Sequence, residues 1–102
     1  MVTVNVLLSG RLRIDGYGRG QPLNGDGTFR LALKEGGTVQ DIIGGMSVPS
    51  ERVTLTMLNG RQCQVEQALR PGDRVILIPE DVAVLWRALH LQNLDMGIGF
   101  DS

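Results

Sequence analysis

The sequence is poor in the residues from which independent active sites and covalent scaffolds are built. Cysteine occurs once, at Cys63, so no intramolecular disulfide can close and no multi-cysteine zinc site can form. Cys63 itself reads as a small packed side chain in a short strand. Histidine also occurs once, at His90. With no serine, cysteine or carboxylate partner evident in sequence, it reads as a helix surface residue and not as a general base. No paired carboxylates and no metal-ligand spacing stand out, so the sequence assigns no catalytic residue, no metal and no cofactor, and the chain is not expected to be an enzyme. Aromatic residues make up only 4%, too few for base-stacking platforms. The net charge is −1, which gives no long-range field to draw nucleic acid or an anionic membrane. Met1 to Leu8 is apolar but far too short to span a bilayer, and it lacks a basic leader and a small-residue cleavage site. A reducing compartment is expected, and cytoplasm is the simplest assignment.

What remains is an ordinary folding composition. The 102 residues, 42% hydrophobic and 21% charged, suffice for one domain with one core. Val2, Val4, Val6 and Leu8 alternate with Thr3, Asn5 and Leu7, the period of a half-buried strand. Ser9 to Thr28 holds Gly10, Gly16, Gly18, Gly20, Gly25 and Gly27 and reads as a long mobile connection. It carries neither Gly-Lys-Ser/Thr nor GxGxxG, so a phosphate cradle is not indicated. Phe29, Leu31 and Leu33 alternate in a second strand. Thr38 and Asp41 stand in capping-box register, and Val39, Ile42, Ile43 and Met46 then form one apolar stripe. That helix is weakened by Gly44 and Gly45, about 1 kcal/mol each, and has to be held by packing on a sheet. Val53, Leu55 and Met57 mark a third strand, Asn59-Gly60 a type I′ hairpin turn, and Gln62 to Val65 a short fourth strand. Arg70-Pro71-Gly72-Asp73 is a turn before Arg74 to Ile78, whose last four residues are apolar on both faces. A strand of that kind is central, and something other than the helix must cover its second side. The first and last long strands are expected side by side at the centre of a mixed sheet.

This order, together with particular residues, resembles the β-grasp (ubiquitin-like) sulfur carriers of the ThiS/MoaD family. The residues are Gly10-Arg11-Leu12-Arg13 after the first strand, Gly37-Thr38-Val39-Gln40-Asp41-Ile42-Ile43 at the helix start, Pro49 after the helix, Asn59-Gly60, and Leu69-Arg70-Pro71-Gly72-Asp73-Arg74-Val75 before the last strand. The resemblance covers about Met1 to Pro79. It implies an α+β fold: a mixed sheet with one short helix across it, here followed by a C-terminal extension. The expected division is a β-grasp domain over residues 1–80 and an extension, helix and then flexible tail, over 81–102.

The resemblance also implies a role. Family members end in Gly-Gly just after the last strand; the tail is adenylated by an activating enzyme and carries sulfur to molybdopterin or tungsten-cofactor precursors, or to the thiazole of thiamin. Here the last strand is followed by Pro79-Glu80-Asp81-Val82-Ala83-Val84-Leu85-Trp86, without Gly-Gly. A carrier reading therefore needs trimming of the chain to Gly97 or Gly99. The alternative is a ubiquitin-like interaction subunit that lost the Gly-Gly chemistry. Either reading makes the partner a protein, namely an activating or cofactor-synthesis enzyme or an enzyme subunit, with a homo-oligomer also open.

Val82, Leu85, Trp86 and Leu89 fall at helical spacing behind Asp81 as N-cap. They form either a stripe that folds back over the open sheet face or a docking surface for a partner. A strand over Val82 to Leu91 is the alternative that the sequence leaves open.

Overall fold

The computed structural model describes residues 1–18, 20–85, 87 and 88. Strand β1 (Val2–Leu8) is followed by a short helix α1 (Gly10–Ile14), strand β2 (Phe29–Leu33) and helix α2 (Val39–Gly45). A 3₁₀ turn (Ser50–Arg52), strands β3 (Leu55–Leu58) and β4 (Arg61–Cys63), and the last strand β5 (Arg74–Ile78) complete the domain. The five strands form one mixed sheet in the order β2-β1-β5-β3-β4. β1 and β5 run parallel and adjacent, with Val6 opposite Val75 and Leu8 opposite Leu77; every other pairing is antiparallel. This is the mixed sheet expected from the alternation pattern, with α2 across one face, and it has the β-grasp order that the family resemblance implies.

The core lies between that face and α2. Val2, Val4, Val6 and Leu8 of β1, Leu31 and Leu33 of β2, and Val75 and Leu77 of β5 meet Val39, Ile42, Ile43 and Met46 in one buried cluster. Fully burying an aliphatic side chain contributes about 1.5–3 kcal/mol, so this stripe is what holds a helix of seven residues that would not stand alone. Its start is fixed by Asp41, whose Oδ2 accepts the Thr38 backbone N–H at 2.9 Å. Its second turn approaches β2 closely: a Cβ built on Gly45 would lie 3.4 Å from Leu31 Cδ2. The Asn59-Gly60 turn has φ of 50° and 88°, the left-handed pair that a type I′ hairpin requires.

Two expectations are corrected. The glycine-rich stretch from Ser9 to Thr28 is not simply a loose connection. It contains α1, whose Leu12 is 0% exposed, and it is clamped further on by Arg52, which donates to Asp15 Oδ2 (2.6 Å) and to the Tyr17 hydroxyl (2.8 Å). Asn24 then bonds the Thr28 carbonyl through its backbone N–H at 2.7 Å. A helix of five residues is too short to produce a readable period, and the partners of Tyr17 and Asp15 lie across the fold. The third and fourth strands also shift, to Leu55–Leu58 and Arg61–Cys63, because the two-residue turn at Asn59-Gly60 fixes the register and pairing ends where the strands diverge.

Beyond β5 the chain is helical over residues 80–85 and at 87–88. That settles the helix-or-strand alternative for these residues. The helix begins at Glu80, before the expected N-cap Asp81, which instead lies in the first turn, where a carboxylate also favours the helix dipole.

Candidate functional site

The registers of the sheet define the composition of its second face. Residues paired across neighbouring strands point the same way, so the partners of the core-facing residues can be read off directly. Leu7 pairs with Ile76 and Ile76 with Met57, which makes one apolar row across β1, β5 and β3. Ile78 pairs with Leu55 in the next row on this face. Leu7, Ile76, Met57 and Leu55 are half-buried and Ile78 is buried. Two residues along from the apolar row, toward the other end of the strands, Asn5 stands between Arg30 on β2 and Arg74 on β5, and both arginines are exposed. The face opposite α2 is therefore an apolar strip edged by two cations.

Its basic rim is held by the loop before β2. Asn24 Nδ2 donates to Asn5 Oδ1 and to Thr28 Oγ1, both at 2.9 Å, and Thr28 donates to Asp26 Oδ1 from its hydroxyl at 2.6 Å and its backbone N–H at 3.0 Å. These bonds from Thr28, with a smaller attraction from Arg74, hold the Asp26 carboxyl below its ordinary range. On the opposite side of β5, Asn59 Oδ1 accepts the Arg74 backbone N–H at 2.9 Å while its Nδ2 donates to Asp73. The hairpin turn and the turn before β5 are thereby locked together beside Arg74.

The helical segment after β5 sits at the carboxyl ends of β1 and β5. Glu80 accepts from the Thr54 hydroxyl at 2.9 Å, Ala83 donates to the Pro79 carbonyl at 2.9 Å and is fully buried, and Arg87 reaches Glu80 at 3.4 Å. Val82 is half-buried. A Cβ added to Gly10 would lie 2.5 Å from Val82 Cγ2, so the segment is packed against the start of α1. Val84 and Leu85 are 51% and 64% exposed. Of the four residues singled out from sequence, Val82 is thus against the domain and Leu85 faces outward, while Trp86 and Leu89 lie outside the described residues. Gly97, Gly99 and His90 lie outside them as well.

The apolar row was not singled out from sequence, although two signals point to it. Leu7 interrupts the alternation of β1 with a third consecutive apolar residue, and Val75 to Ile78 are apolar on both faces. Among the described residues no group of three or more His, Cys, Asp or Glu could hold a metal ion, and no helix is long and apolar enough to cross a membrane. Cys63 packs beside the core with its Sγ 3.5 Å from Thr56 Oγ1. The clefts at the glycine-rich loop and beside Arg11 hold about 270 Å³ each, below the roughly 300–1,000 Å³ of small-molecule sites.

Solved structures share this architecture. A Pyrococcus furiosus protein assigned as molybdopterin converting factor, subunit 1, is 25% identical and superposes with a TM-score of 0.56, covering 78% of this chain and 98% of its own. Small archaeal modifier protein 1 of Haloferax volcanii is 19% identical with a TM-score of 0.56 over 78% of this chain and 98% of its own. A further Haloferax volcanii structure of that modifier gives a TM-score of 0.54 at 19% identity, over 76% and 93%. These neighbours are small ubiquitin-like proteins of the carrier and modifier type, and the resemblance to sulfur carriers drawn from the sequence holds at the level of fold. No curated protein matches the chain. Residues 22–84, from the loop before β2 through β5 and into the helical segment, match the family model described as Mut7-C ubiquitin, and the chain belongs to that family.

Proposed function

We propose that this chain is a ubiquitin-like protein of the sulfur-carrier type that serves a molybdopterin-type cofactor pathway by docking on a protein partner through its open sheet face. The observation that carries the docking is the row Leu7–Ile76–Met57, an apolar strip on a face that α2 leaves uncovered, bordered by Arg30 and Arg74. Apolar surface of this kind rimmed by polar groups marks interaction sites on soluble domains. The pathway rests on the Pyrococcus furiosus neighbour, whose name as subunit 1 makes it one part of an assembly. That name favours the molybdopterin branch over the thiamin branch.

What the protein does once docked divides two readings. As a carrier it would present a glycine carboxyl for adenylation and sulfur transfer, which requires cleavage after Gly97 or Gly99; glycine is needed there because a side chain would block close approach to the activating site. As an interaction subunit it needs no such end. The second reading is favoured by a specific feature: a helix begins immediately after β5, with Ala83 buried, in the place where a carrier has its free Gly-Gly.

The test joins two measurements. Binding of the host's molybdopterin-converting partner subunit is compared for the wild-type chain and for Ile76→Asp. Loss of binding in a variant that keeps the wild-type far-ultraviolet spectrum supports docking through this face, and undiminished binding refutes it. Intact mass of protein from the native host then separates the readings. A Gly97- or Gly99-ended species with one oxygen replaced by sulfur establishes a carrier, and an uncut chain in the complex establishes a subunit.

A further inference from the structure

β2 is the outermost strand on its side of the sheet, and its outer backbone groups are only partly answered. The glycine-rich loop folds back along the start of β2 as a short hairpin. In it Asn24 donates to the Thr28 carbonyl at 2.7 Å and Arg30 to the Pro22 carbonyl at 2.8 Å. Pro22 has no N–H to return to the Arg30 carbonyl, and the hairpin stops there. Just before it, Gln21 turns aside, its Nε2 donating to the Gly45 carbonyl of α2 at 3.4 Å. In an antiparallel pair the backbone groups of alternate residues face the same way, so Ala32 and then Lys34 face outward like Arg30. Among the described residues nothing meets the N–H of either or the carbonyl of Ala32. The edge therefore offers, in order, the Arg30 carbonyl, the Ala32 N–H and carbonyl, and the Lys34 N–H.

An open edge of this kind is a template for an added strand, and its surroundings select the occupant. Arg30, Ala32 and Lys34 are all exposed. Arg30 and Ala32 stand opposite Asn5 and Thr3 of β1 and so lie on the sheet face away from α2; Lys34 follows in the same alternation. An incoming strand thus meets two cations on that face, with the small side chain of Ala32 between them. Glu35, the acidic neighbour of Lys34, is engaged by the Met1 ammonium at 3.4 Å. On the other face α2 approaches β2 through Gly45, where a Cβ would lie 3.4 Å from Leu31 Cδ2, and a Cβ on the adjacent Gly44 meets nothing within 4 Å. That side leaves room for aliphatic groups beside Leu31. A second copy is poorly matched to the edge. With Ala32 opposite Ala32, Lys34 of the copy would stand across from Arg30, and like charges directly opposite are destabilising.

We propose that the outer edge of β2 binds, as an added strand, an extended segment of a partner protein in which acidic residues alternate with aliphatic ones. The main-chain groups of Arg30, Ala32 and Lys34 hold the segment. Carboxylates beside the Arg30 and Lys34 side chains, and aliphatic groups beside Leu31 and Gly44, select it. This goes beyond the docking reading, which concerns the row Leu7–Ile76–Met57 on the sheet face and not the sheet edge, and it does not rest on that reading.

Amide spectra of the isotopically labelled full chain test it, with two blocked synthetic peptides as probes, one alternating valine with aspartate and the other valine with lysine. The valine–aspartate peptide should move the amides of Ala32 and Lys34 while those of Leu7 and Ile76 stay in place. The valine–lysine peptide should bind about tenfold more weakly, because it sets like charges against Arg30 and Lys34. Ala32→Pro removes the central donor from an edge strand, where proline is tolerated, and should abolish binding. The double variant Arg30→Glu/Lys34→Glu keeps the edge and should reverse the preference between the peptides. Equal binding of the two peptides, unchanged binding by Ala32→Pro, shifts centred on Leu7 and Ile76, or no shift at millimolar peptide overturns the proposal. Movement of the Ala32 and Lys34 amides on dilution of the free protein, with a dimer at the higher concentration, also overturns it, because it assigns the edge to a second copy.

Discussion

Replacing Gly10 by alanine probes whether the helix after β5 belongs to the domain or merely follows it. Gly10 has φ +53°, and a Cβ there would stand 2.5 Å from Val82 Cγ2 and 2.9 Å from Asp81 Oδ2. Two costs follow. The left-handed backbone costs an L-residue about 1–2 kcal/mol. The contact with Val82 falls about an ångström inside the ordinary carbon–carbon separation of about 3.5–4.0 Å, and relieving it means moving the first turn of the helix away from α1. That movement would loosen the packing around buried Ala83, so overpacking of the usual size adds about 1–3 kcal/mol. Gly72→Ala supplies the control, because Gly72 has φ +84° with nothing within 4 Å of its would-be Cβ and so carries the conformational cost alone. Urea denaturation followed by circular dichroism should show Gly10→Ala about 2–5 kcal/mol less stable than wild type, and clearly less stable than Gly72→Ala. Equal losses in the two variants would refute the reasoning, since they would mean that Val82 yields freely and the helix is not seated.

The remaining predictions concern the core, the clamp and the rim. Ile42→Asp buries an unpaired carboxylate between α2 and the sheet and should leave no cooperatively folded protein in a thermal melt. Leu12→Ala should cost about 2–5 kcal/mol by denaturant titration, because this side chain is fully enclosed in the core; a loss of a few tenths would place α1 outside the cooperative unit. Arg52→Ala removes the donor shared by Asp15 and Tyr17 and should speed limited proteolysis within residues 13–28 while the melting transition stays cooperative. The Asp26 carboxyl is held below its ordinary value of 3.8, chiefly by the Thr28 hydroxyl, so its contribution is complete above that value and is lost as the pH falls through the lower folded value. Exchange of the Thr28 amide, corrected for its intrinsic pH dependence, should therefore gain protection as the pH rises through that window, and the gain should vanish in Asp26→Asn.

Local chemistry carried a large part of this structure. The left-handed demand of Asn59-Gly60, the reach-back of Asp41 to Thr38 and the stripe of Val39, Ile42, Ile43 and Met46 are each complete within a few residues, so spacing alone specified them. The two-sided apolarity of Val75 to Ile78 likewise pointed β5 to the centre of the sheet, although α2 covers only one of its faces and Ile76 on the other is half-buried.

Sequence reading failed where the deciding partner is remote. Leu12 declares no helix until the carboxyl ends of β1 and β5 enclose it, and Arg52 becomes a clamp only because the fold brings it to Tyr17. The candidate docking strip is the clearest case. Leu7, Ile76 and Met57 come from three strands, and only the parallel pairing of β1 with β5 and the antiparallel pairing of β5 with β3 align them into one row. Sequence by itself determined the presence and order of the five strands, the stripe of α2 and the absence of Gly-Gly after β5, because these depend on neighbours along the chain. Tertiary structure alone decided which apolar residues share the open face, because register is a relation between strands distant in sequence, and one residue of slippage would turn every side chain to the other side.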